Sequence, residues 1–586
     1  MFALAIAAPV LFPILGRPSA SIVTVLLLWA SCSPTLARTP ASIAGGAREF
    51  LRQQEREQAT RQQQEAAAHV RLLPNAGATQ LTPLPGAETP CFAINTIVLR
   101  GDAAEQFNFA LQRVSAGDDP AIGRCLGKNG INAVLGRVQN AIARRGFVTT
   151  RVLAGAQQLQ SGTLVLTLVP GRVRNVRFAA DASVRGTKWN ALPVNDGDLI
   201  NLRDLEQGLE NWRRVPTAHA DIQIVPSDAD NPQPGDSDLI IRYQQAFPLR
   251  LNLSLDNGGS DATGRYQGSV TLSFDNWWTL NDMFYASFTH DIGGGSGQRS
   301  KAYTVHYSLP FGYWTAGLTS NSSDYYQVVA GVRRPYIYSG HSDLTEIKLT
   351  RILQRNATGK TSLSLRGLLR GSRNFINDAE IRVQRRRTVA WELGVQHREY
   401  VANTTLDLGL AYRRGTGALG ALPAPEEKFG EGSARFRIIT GNLNLILPFQ
   451  LTMPWGRQDF RYGLHGRMQW NETPLTAQDR FAIGGRHTVR GFDGEMSLLA
   501  ERGWLLRNDV GISLGMHEAY LGLDYGEVGG PTAIRLPGTR LAGAVAGVRG
   551  QLRQLSYDFF TGTPLSKPDH FATASLTAGF QLHYAF

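Results

Sequence analysis

The last fifteen residues of the chain, 572–586, read ATASLTAGFQLHYAF. Apolar or aromatic side chains occupy the even positions, and mostly small or polar side chains occupy the odd ones. A period of two places these sets on opposite faces of a β-strand. A tilted strand of about 9–11 residues crosses the hydrocarbon core of a bilayer. The run therefore predicts a membrane-spanning strand with an apolar outer face.

The same alternation recurs through residues 247–586. Leucine alternates with polar residues over Leu249–Asp256, and apolar residues alternate with other types over Leu406–Arg413. Most of the 17 Tyr and 10 Trp fall in this segment, which is typical of aromatic girdles at two membrane interfaces. At about 20 residues per strand and connection, the segment predicts roughly 16 barrel strands. A soluble β-sandwich or propeller is the alternative, but it explains neither the strand lengths nor the lack of a repeated motif.

Composition and the lengths of apolar runs argue against three other classes of protein. Of the 586 residues, 18% are charged and 42% are hydrophobic, so disorder along the whole length is ruled out. The 62 Gly and 6 Met fit many short strands and turns better than a helical bundle. Because no unbroken apolar run of about 18 residues occurs, a helical membrane protein is not expected. The formal net charge of +12 is compatible with anionic partners.

Residues 1–37 have the pattern of a signal peptide. An apolar stretch over Ile22–Ala30 is followed by small residues and a candidate cleavage site after Ala37. A lipoprotein site at Cys32 and a buried apolar arm are the alternatives. Export would place the rest of the chain in an oxidising compartment, where disulfides form and persist.

Residues 38–70 predict a polar helix. From Ala47 to Val70 the sequence is mostly Gln, Glu, Arg and Ala, which are strong helix formers. Because the pattern is polar nearly all round, this helix does not suit an apolar core. About 24 residues span about 36 Å, comparable with the thickness of a membrane. We expect the helix to fill a polar barrel lumen or, alternatively, to form a solvated spacer. Residues 71–90 carry four prolines and predict an extended linker.

Residues 91–171 and 172–246 each predict a small α/β unit, and the first unit opens with a predicted strand from Phe92 to Leu99. Each small sheet should keep an exposed edge, to which a strand of another chain can add, unless the units are only spacers. The amphipathic helix of the first unit carries Arg137, Arg144 and Arg145. These arginines predict a basic face that either steers an acidic partner or is simply solvated.

The cysteine count bears on the first unit. If Cys32 leaves with the signal peptide, Cys91 and Cys125 remain as an even pair. In an exported protein this pair favours a disulfide over two buried thiols. Closing that loop would stabilise the unit by roughly 3–4 kcal/mol on the chain-entropy account.

Motifs along the whole chain carry a resemblance to a known family. In the first unit they are Pro90-Cys91-Phe92, Cys125-Leu126-Gly127, Arg145-Gly146-Phe147 and Val169-Pro170-Gly171-Arg172-Val173. In the barrel segment they are Asp256-Asn257-Gly258, Val489-Arg490-Gly491-Phe492, Gly522-Leu523-Asp524, and the terminal Phe586 preceded by Phe580, Leu582 and Tyr584. Together they resemble the haemolysin secretion/activation family, the outer-membrane transporters of two-partner secretion (TpsB). In that family the α/β units are POTRA domains.

The resemblance implies a membrane all-β fold. It consists of a 16-stranded transmembrane β-barrel at 247–586, preceded by POTRA 1 at 91–171, POTRA 2 at 172–246 and an N-terminal plug helix. The barrel would lie in the bacterial outer membrane, with both POTRA domains in the periplasm. Residues 489–492 would sit on a long loop folded back into the lumen. There Arg490 would meet Asp524, beside Gly522, on the barrel wall.

The resemblance also implies a function and partners. Such a protein binds the secretion domain of a large β-helical exoprotein, such as an adhesin, haemolysin or contact-dependent toxin, and passes it through the barrel. The barrel assembly machinery would read the terminal aromatic residues. Periplasmic chaperones, membrane lipids and lipopolysaccharide are further implied partners. Nucleic acid, a cofactor and a metal are not implied.

Other functions have weaker support. Residues 511–515 match G-x-S-x-G, but a nucleophile elbow needs a strand followed by a helix, and strand–turn–strand is predicted here. An enzyme is therefore not expected. A passive porin would need neither α/β units nor a plug. An assembly insertase of the same superfamily is the nearest rival, but it usually has other POTRA units and lacks the N-terminal helix.

Overall fold

The computed structural model describes residues 45–65, 69–72, 83–115, 119–293, 297–329 and 334–586. The predicted signal peptide, 1–37, lies outside the described residues, as do residues 73–82 of the predicted linker. None of the described helices is both long and apolar enough to cross a membrane.

Four α-helices and twenty-seven strands make up the described chain. The helices are α1 (Gly45–Gln64), α2 (Phe109–Ser115), α3 (Lys128–Arg144) and α4 (Leu202–Arg213). The strands before the barrel are β1 (Phe92–Ile94), β2 (Thr96–Arg100), β3 (Arg124–Leu126), β4 (Arg151–Leu153), β5 (Thr163–Val169), β6 (Arg172–Phe178), β7 (Ala218–Pro226) and β8 (Asp236–Gln245).

The strands that follow belong to the barrel and its connections. They are β9 (Leu249–Asp256), β10 (Gln267–Asp275), β11 (Met283–Asp291), β12 (Gln298–Phe311), β13 (Trp314–Val329), β14 (Tyr336–Arg355), β15 (Gly359–Ile376), β16 (Ala379–Glu380), β17 (Arg386–Val401), β18 (Thr404–Thr416), β19 (Arg437–Met453), β20 (Gly456–Asn471), β21 (Phe481–Ile483), β22 (Leu498–Ala500), β23 (Arg502–Leu514), β24 (His517–Gly529), β25 (Arg540–Leu552), β26 (Leu555–Ser566) and β27 (Thr577–Ala585).

Sixteen antiparallel strands close into one barrel, as predicted. Each strand pairs with the next in the wall, and β27 closes the ring against β9 from Gln581↔Asp256 to Ala585↔Asn252. The two-residue β16 pairs only with the end of β15, and β21 pairs with β22 away from the wall. Because the strands alternate in direction, the short turns between wall strands, such as Gly515–Met516, lie at the end of the barrel where the α/β units join. The long connections lie at the opposite end.

The period-two pattern is realised along the wall strands. On β24 the even residues Tyr520, Gly522 and Asp524 are buried inside, whereas Leu521 and Leu523 are 69% and 60% exposed outside. An apolar outer face is the arrangement that a lipid environment requires.

Each α/β unit has one three-stranded sheet packed on helices. The first sheet has the order β2-β5-β4 and the second β6-β8-β7, each with one parallel and one antiparallel pair. The inward face of α3, with Val134, Val138 and Ile142, packs in the first core. Trp212 of α4 is fully buried in the second core.

Two local predictions are corrected. The predicted single strand from Phe92 to Leu99 is divided at Asn95, because β1 pairs with β3 while β2 pairs with β5. The polar helix begins at Gly45 and ends at Gln64 rather than extending to Val70. Val70 instead packs in the core of the second unit, so the chain has left the helix by that point.

Candidate functional site in the barrel lumen

The connection between β20 and β23 folds back into the barrel. Its hairpin, β21 and β22, carries an apolar cluster that packs on the inner wall through Leu505, Val528 and Leu541. Val489 and Phe492 belong to this cluster and are 0% and 4% exposed. The cluster fixes the connection, so that Arg490, which lies between Val489 and Phe492, has a defined position.

Arg490 is bound to the wall at Asp524. Its Nε donates to Oδ2 at 2.7 Å and its Nη2 donates to Oδ1 at 2.7 Å, while its backbone N–H donates to Oδ2 at 2.9 Å. Two parallel charge-assisted bonds of this kind are specific to a guanidinium. Both side chains are nearly fully buried, at 5% and 0% exposure. The predicted pair is therefore present in the structure.

A second carboxylate accepts a hydrogen bond from the Arg490 guanidinium. Arg490 Nη2 also donates to Asp509 Oδ1 of β23 at 2.6 Å, and Arg507 Nε lies 3.8 Å from Asp524 Oδ2. The contact is thus a network of two arginines and two aspartates, in which Arg490 comes from the loop and the other three residues from the adjacent strands β23 and β24. The sequence motif indicated only one pair, because Asp509 lies outside it.

Glycines in the wall make room for the tip of the loop. An added Cβ at Gly522 would lie 2.7 Å from Arg490 Nη2, and one at Gly543 would lie 1.9 Å from Arg490 O. At Gly526 and Gly562 it would meet Val489 and Gly491 at 2.8 and 2.9 Å. These four glycines, which we call the glycine floor, let the two backbones approach. Gly491 itself has φ +98°, which a side chain would strain.

Substituting the glycine floor tests this fit. Gly543→Ala should displace the loop tip and lower transport, because its Cβ would overlap a backbone oxygen that cannot move alone. Gly463→Ala is the matched control, since Gly463 also faces the lumen but has nothing within 4 Å of an added Cβ. Limited proteolysis of the loop in intact cells would report its position. Equal cleavage of the two variants would contradict the proposed fit.

The polar helix α1 lies inside the barrel. Arg61 Nη1 donates to Glu346 Oε1 of β14 at 3.0 Å, and Arg56 Nη1 donates to Gln267 Oε1 of β10 at 3.1 Å. The helix also holds the folded-back loop, because Arg52 Nη2 donates to Gly494 O at 2.7 Å and Arg48 Nη1 donates to Glu495 O at 2.9 Å. These contacts select the lumen over the solvated spacer.

The buried contacts between α1 and the barrel are mostly polar. Its Phe50 is buried at 7% exposure, but Glu49 and Gln64 are buried as well, at 3% and 5%. Glu49 accepts from Thr263 Oγ1 at 2.9 Å. A cavity of about 510 Å³ remains beside the helix at Gln63, against inward residues of β24 to β27.

The segment after α1 is clamped where the barrel meets the second α/β unit. The backbone N–H groups of Val70 and Leu72 donate to Glu210 Oε1 and Glu206 Oε1 of α4 at 3.1 and 2.6 Å. Arg355 at the end of β14 donates to both glutamates at 2.9 Å and to Val70 O at 2.6 Å. This polar clamp joins the helix tether, the α/β unit and the barrel. Sequence analysis missed it because its members are far apart in the chain.

In the first α/β unit a disulfide joins Cys91 and Cys125, with their Cα atoms 5.3 Å apart. It links the start of β1 to β3, where Ala93 pairs with Cys125. We expect thiol labelling of the unreduced, denatured protein without its signal peptide to find no free cysteine. Stoichiometric labelling of both cysteines would contradict this assignment, and a reduced sample labelled at both is the control.

The predicted basic face on α3 is only partly correct. Arg137 is buried at 6% exposure and forms an ion pair with Asp119, so it cannot steer a partner. The backbone N–H of Leu84 and the Arg137 guanidinium hold the pKa of Asp119 below its ordinary value. Arg144 and Arg145 are exposed, although the Arg145 guanidinium lies over the Phe109 ring at 3.6 Å. The helical spacing in the sequence predicted that Arg137 is exposed, whereas the structure buries it.

The terminal aromatic residues lie on the outer face of the wall. Gln581 and His583 line the lumen cavity, so the alternating Phe580, Leu582 and Tyr584 point outward. The backbone N–H of Phe586 donates to Leu251 O at 2.9 Å, at the closing pair of strands.

Comparison with known proteins agrees with this architecture. The family described as haemolysin secretion/activation protein ShlB/FhaC/HecB matches residues 235–550. The ShlB-type POTRA domain matches 92–171, and a further POTRA domain matches 172–226. The chain is 36% identical over 576 residues to the outer membrane transporter CdiB-2 of Burkholderia pseudomallei (strain 1026b), covering 94% of this chain and 96% of the relative.

Two solved structures share the whole fold. CdiB from Acinetobacter baumannii superposes with a TM-score of 0.81 at 29% identity, over 94% of this chain and 100% of that one. CdiB from Escherichia coli superposes with a TM-score of 0.78 at 25% identity and the same coverage. With the family match over more than half of its length, the chain belongs to the ShlB/FhaC/HecB haemolysin secretion/activation family.

Proposed function

We propose that this chain is the outer-membrane transporter of a two-partner secretion system. It binds the secretion domain of a large exoprotein in the periplasm and exports that exoprotein to the cell surface. The observation that carries the proposal is a barrel whose lumen holds a polar helix on a tether, with two POTRA domains at its periplasmic mouth. The relatives named as outer membrane transporters support it.

The chemistry of the plug suits removal. On leaving the lumen, Arg61, Arg56 and Arg52 exchange their hydrogen bonds to the wall and to the folded-back loop for hydrogen bonds to water. An apolar plug would instead expose its surface to water on leaving, at about 25 cal/mol per Å². The helix therefore closes the resting pore without blocking it permanently. Folding of the exported β-helix outside the cell would prevent the cargo from sliding back.

The test of the function is secretion of a partner. Cells that express the exoprotein with this chain should release it or display it, whereas cells with the exoprotein alone should retain it in the periplasm. Barrel abundance is measured in parallel by heat-modifiable mobility. Equal surface exposure without the chain would overturn the proposal.

The POTRA domains are the proposed capture surface. β7 is an edge strand of POTRA 2, to which an extended cargo segment can add main-chain hydrogen bonds. In POTRA 1 the edge is partly covered, because the Gln139 amide bonds Thr150 O and Val152 N at 2.7 and 3.0 Å. A cargo strand that adds beside β4 has to displace this side chain.

Removing POTRA 1 should abolish capture. A chain lacking residues 91–171 is expected to lose binding to the purified secretion domain of its cargo, because half of the periplasmic surface is gone. Deletion of 45–64 is the control, since it removes the plug and leaves both POTRA domains. Capture at full affinity by the first variant in a pull-down would argue against this surface.

Rival functions fit the structure less well. A passive porin would not need a lumen filled by α1 and the folded-back loop. The G-x-S-x-G match ends in the turn between β23 and β24, with no helix after it. No group of His, Cys, Asp or Glu in the described ranges could hold a metal ion. The family is a transporter family, and we propose that the chain has no catalytic activity.

The remaining partners are also proposals. The outward column Phe580, Leu582 and Tyr584 with the terminal Phe586 would present the signal for the barrel assembly machinery. Periplasmic chaperones would deliver the unfolded barrel, and phospholipid and lipopolysaccharide would surround it. The cargo is an adhesin, a haemolysin or a contact-dependent toxin, and no nucleic acid is involved.

A further inference from the structure

POTRA 2 has a loop that is bonded to the periplasmic rim of the barrel. Asn190 Nδ2 donates to Leu280 O at 2.6 Å, and Gly312 N–H donates to Asn190 O at 2.8 Å. Arg185 and Thr187 of the same loop donate to backbone oxygens of the turn between β10 and β11. The loop 183–193 is therefore fixed against two turns of the wall.

This loop exposes a tryptophan. Trp189 is 63% exposed, whereas Trp212 and Tyr243 of the same domain are 0% exposed. Its ring meets the ring of Phe311 edge-on at a centroid distance of 5.8 Å. A tryptophan so exposed on a domain in water leaves a large apolar surface without a partner.

Phe311 shows which side of the wall Trp189 is on. It is the last residue of β12, where the odd positions Tyr303 and Val305 are exposed and the even positions Thr304 and His306 are buried in the lumen. Phe311 continues the odd, outward set. Trp189 therefore leans on the lipid-facing side of the barrel, at its periplasmic rim.

Further aromatic residues lie at the same rim. In the turn that holds the loop, the rings of Trp277 and Trp278 stack at 6.0 Å, and Trp277 meets the outward Phe284 at 4.9 Å. Tryptophan is enriched where a membrane protein passes the headgroup level, because its ring is apolar and its N–H is polar. Trp189 extends this belt from the barrel onto the periplasmic domain.

We propose that Trp189 and Phe311 form a lipid-binding contact of POTRA 2 with the headgroup–acyl boundary of the periplasmic leaflet. The occupant is phospholipid, because the patch is continuous with the outer face of the wall, which lipid already covers. A protein partner would have to displace that lipid. The inference depends on the barrel spanning the membrane and does not depend on the identity of the cargo.

A spin label measures the environment of Trp189. The full chain, with Cys32→Ser and its native disulfide intact, is labelled at Trp189→Cys and reconstituted into phospholipid nanodiscs. We expect collision with an aqueous nickel chelate to be several-fold lower than for Leu153→Cys on POTRA 1, and close to that for Leu272→Cys on the outer wall. Nickel accessibility equal to that of Leu153→Cys would overturn the proposal.

A second measurement uses the unaltered chain, in case the substitution disturbs the loop. Hydroxyl-radical footprinting in the same nanodiscs compares Trp189 with Phe429, which is 79% exposed in a connection at the opposite end. Trp189 should be oxidised several-fold less, although tryptophan is the more reactive residue. Oxidation of Trp189 as fast as Phe429 would show an aqueous surface, as a protein-binding patch requires, and would refute the lipid contact.

Discussion

Arg490→Ala is expected to insert normally in the outer membrane and to secrete its partner at least about tenfold less than the native chain. Removing one partner of a buried ion pair typically costs roughly 3–5 kcal/mol, and about 1.4 kcal/mol already corresponds to a tenfold change. Here the loss falls on the attachment of the loop, since Asp524 keeps only the backbone N–H of residue 490 and the more distant Arg507. Secretion is normalised to barrel abundance.

Companion variants separate this contact from general damage. Asp524→Ala should behave like Arg490→Ala, and the double variant should be no worse than either, because all three break one contact. Arg490→Lys should remain defective, since an ammonium cannot replace the fork. Arg461→Ala is the matched control, because it removes a bidentate pair with Glu518, at 3.0 and 2.9 Å, elsewhere on the wall. Native secretion by Arg490→Ala, or additive losses, would refute the pairing.

Deletion of residues 45–64 is expected to give the second large effect, a marked rise in single-channel conductance in planar bilayers. The helix occupies the lumen, so its removal opens an aqueous path through the barrel. Arg61→Ala should give brief openings, because it frees Glu346 of β14 from the plug. Gln62→Ala is the control on the neighbouring exposed position. Conductance unchanged by the deletion would contradict the position of the plug.

The barrel was predictable from the sequence because local rules determine its strands. Alternation assigns each side chain of β27 to one face, but the predicted strand over 572–586 is too long, because residues 572–576 share the pattern and lie before the strand begins at Thr577. A closed barrel is the arrangement that leaves no edge in lipid. Arg490 and Asp524 were identified through the resemblance, since their separation in sequence gives no physical indication of contact. Composition alone left the polar helix between a plug and a spacer, and only the charges of the wall, such as Glu346, decide between them.

The features that the sequence did not predict depend on contacts between segments that are far apart in the chain. Arg137 and Arg144 are both polar residues of one helix, but only Arg137 meets Asp119, which comes from a loop. Glu206 and Glu210 have the spacing of an ordinary exposed helix face, yet Arg355 and the tether cover them. One local indication was overlooked: Gly522 and Gly526 lie four residues apart on one strand, and glycine repeated on one face indicates a close backbone approach.

Cargo is expected to pass through the lumen after α1 leaves it. The most direct test fixes the plug to the wall, with Arg61→Cys and Glu346→Cys joined by a flexible bismaleimide in cells that secrete the partner. Secretion should stop in proportion to the cross-linked fraction, while both single-cysteine variants treated in the same way continue to secrete. Undiminished secretion by fully cross-linked protein would contradict the account.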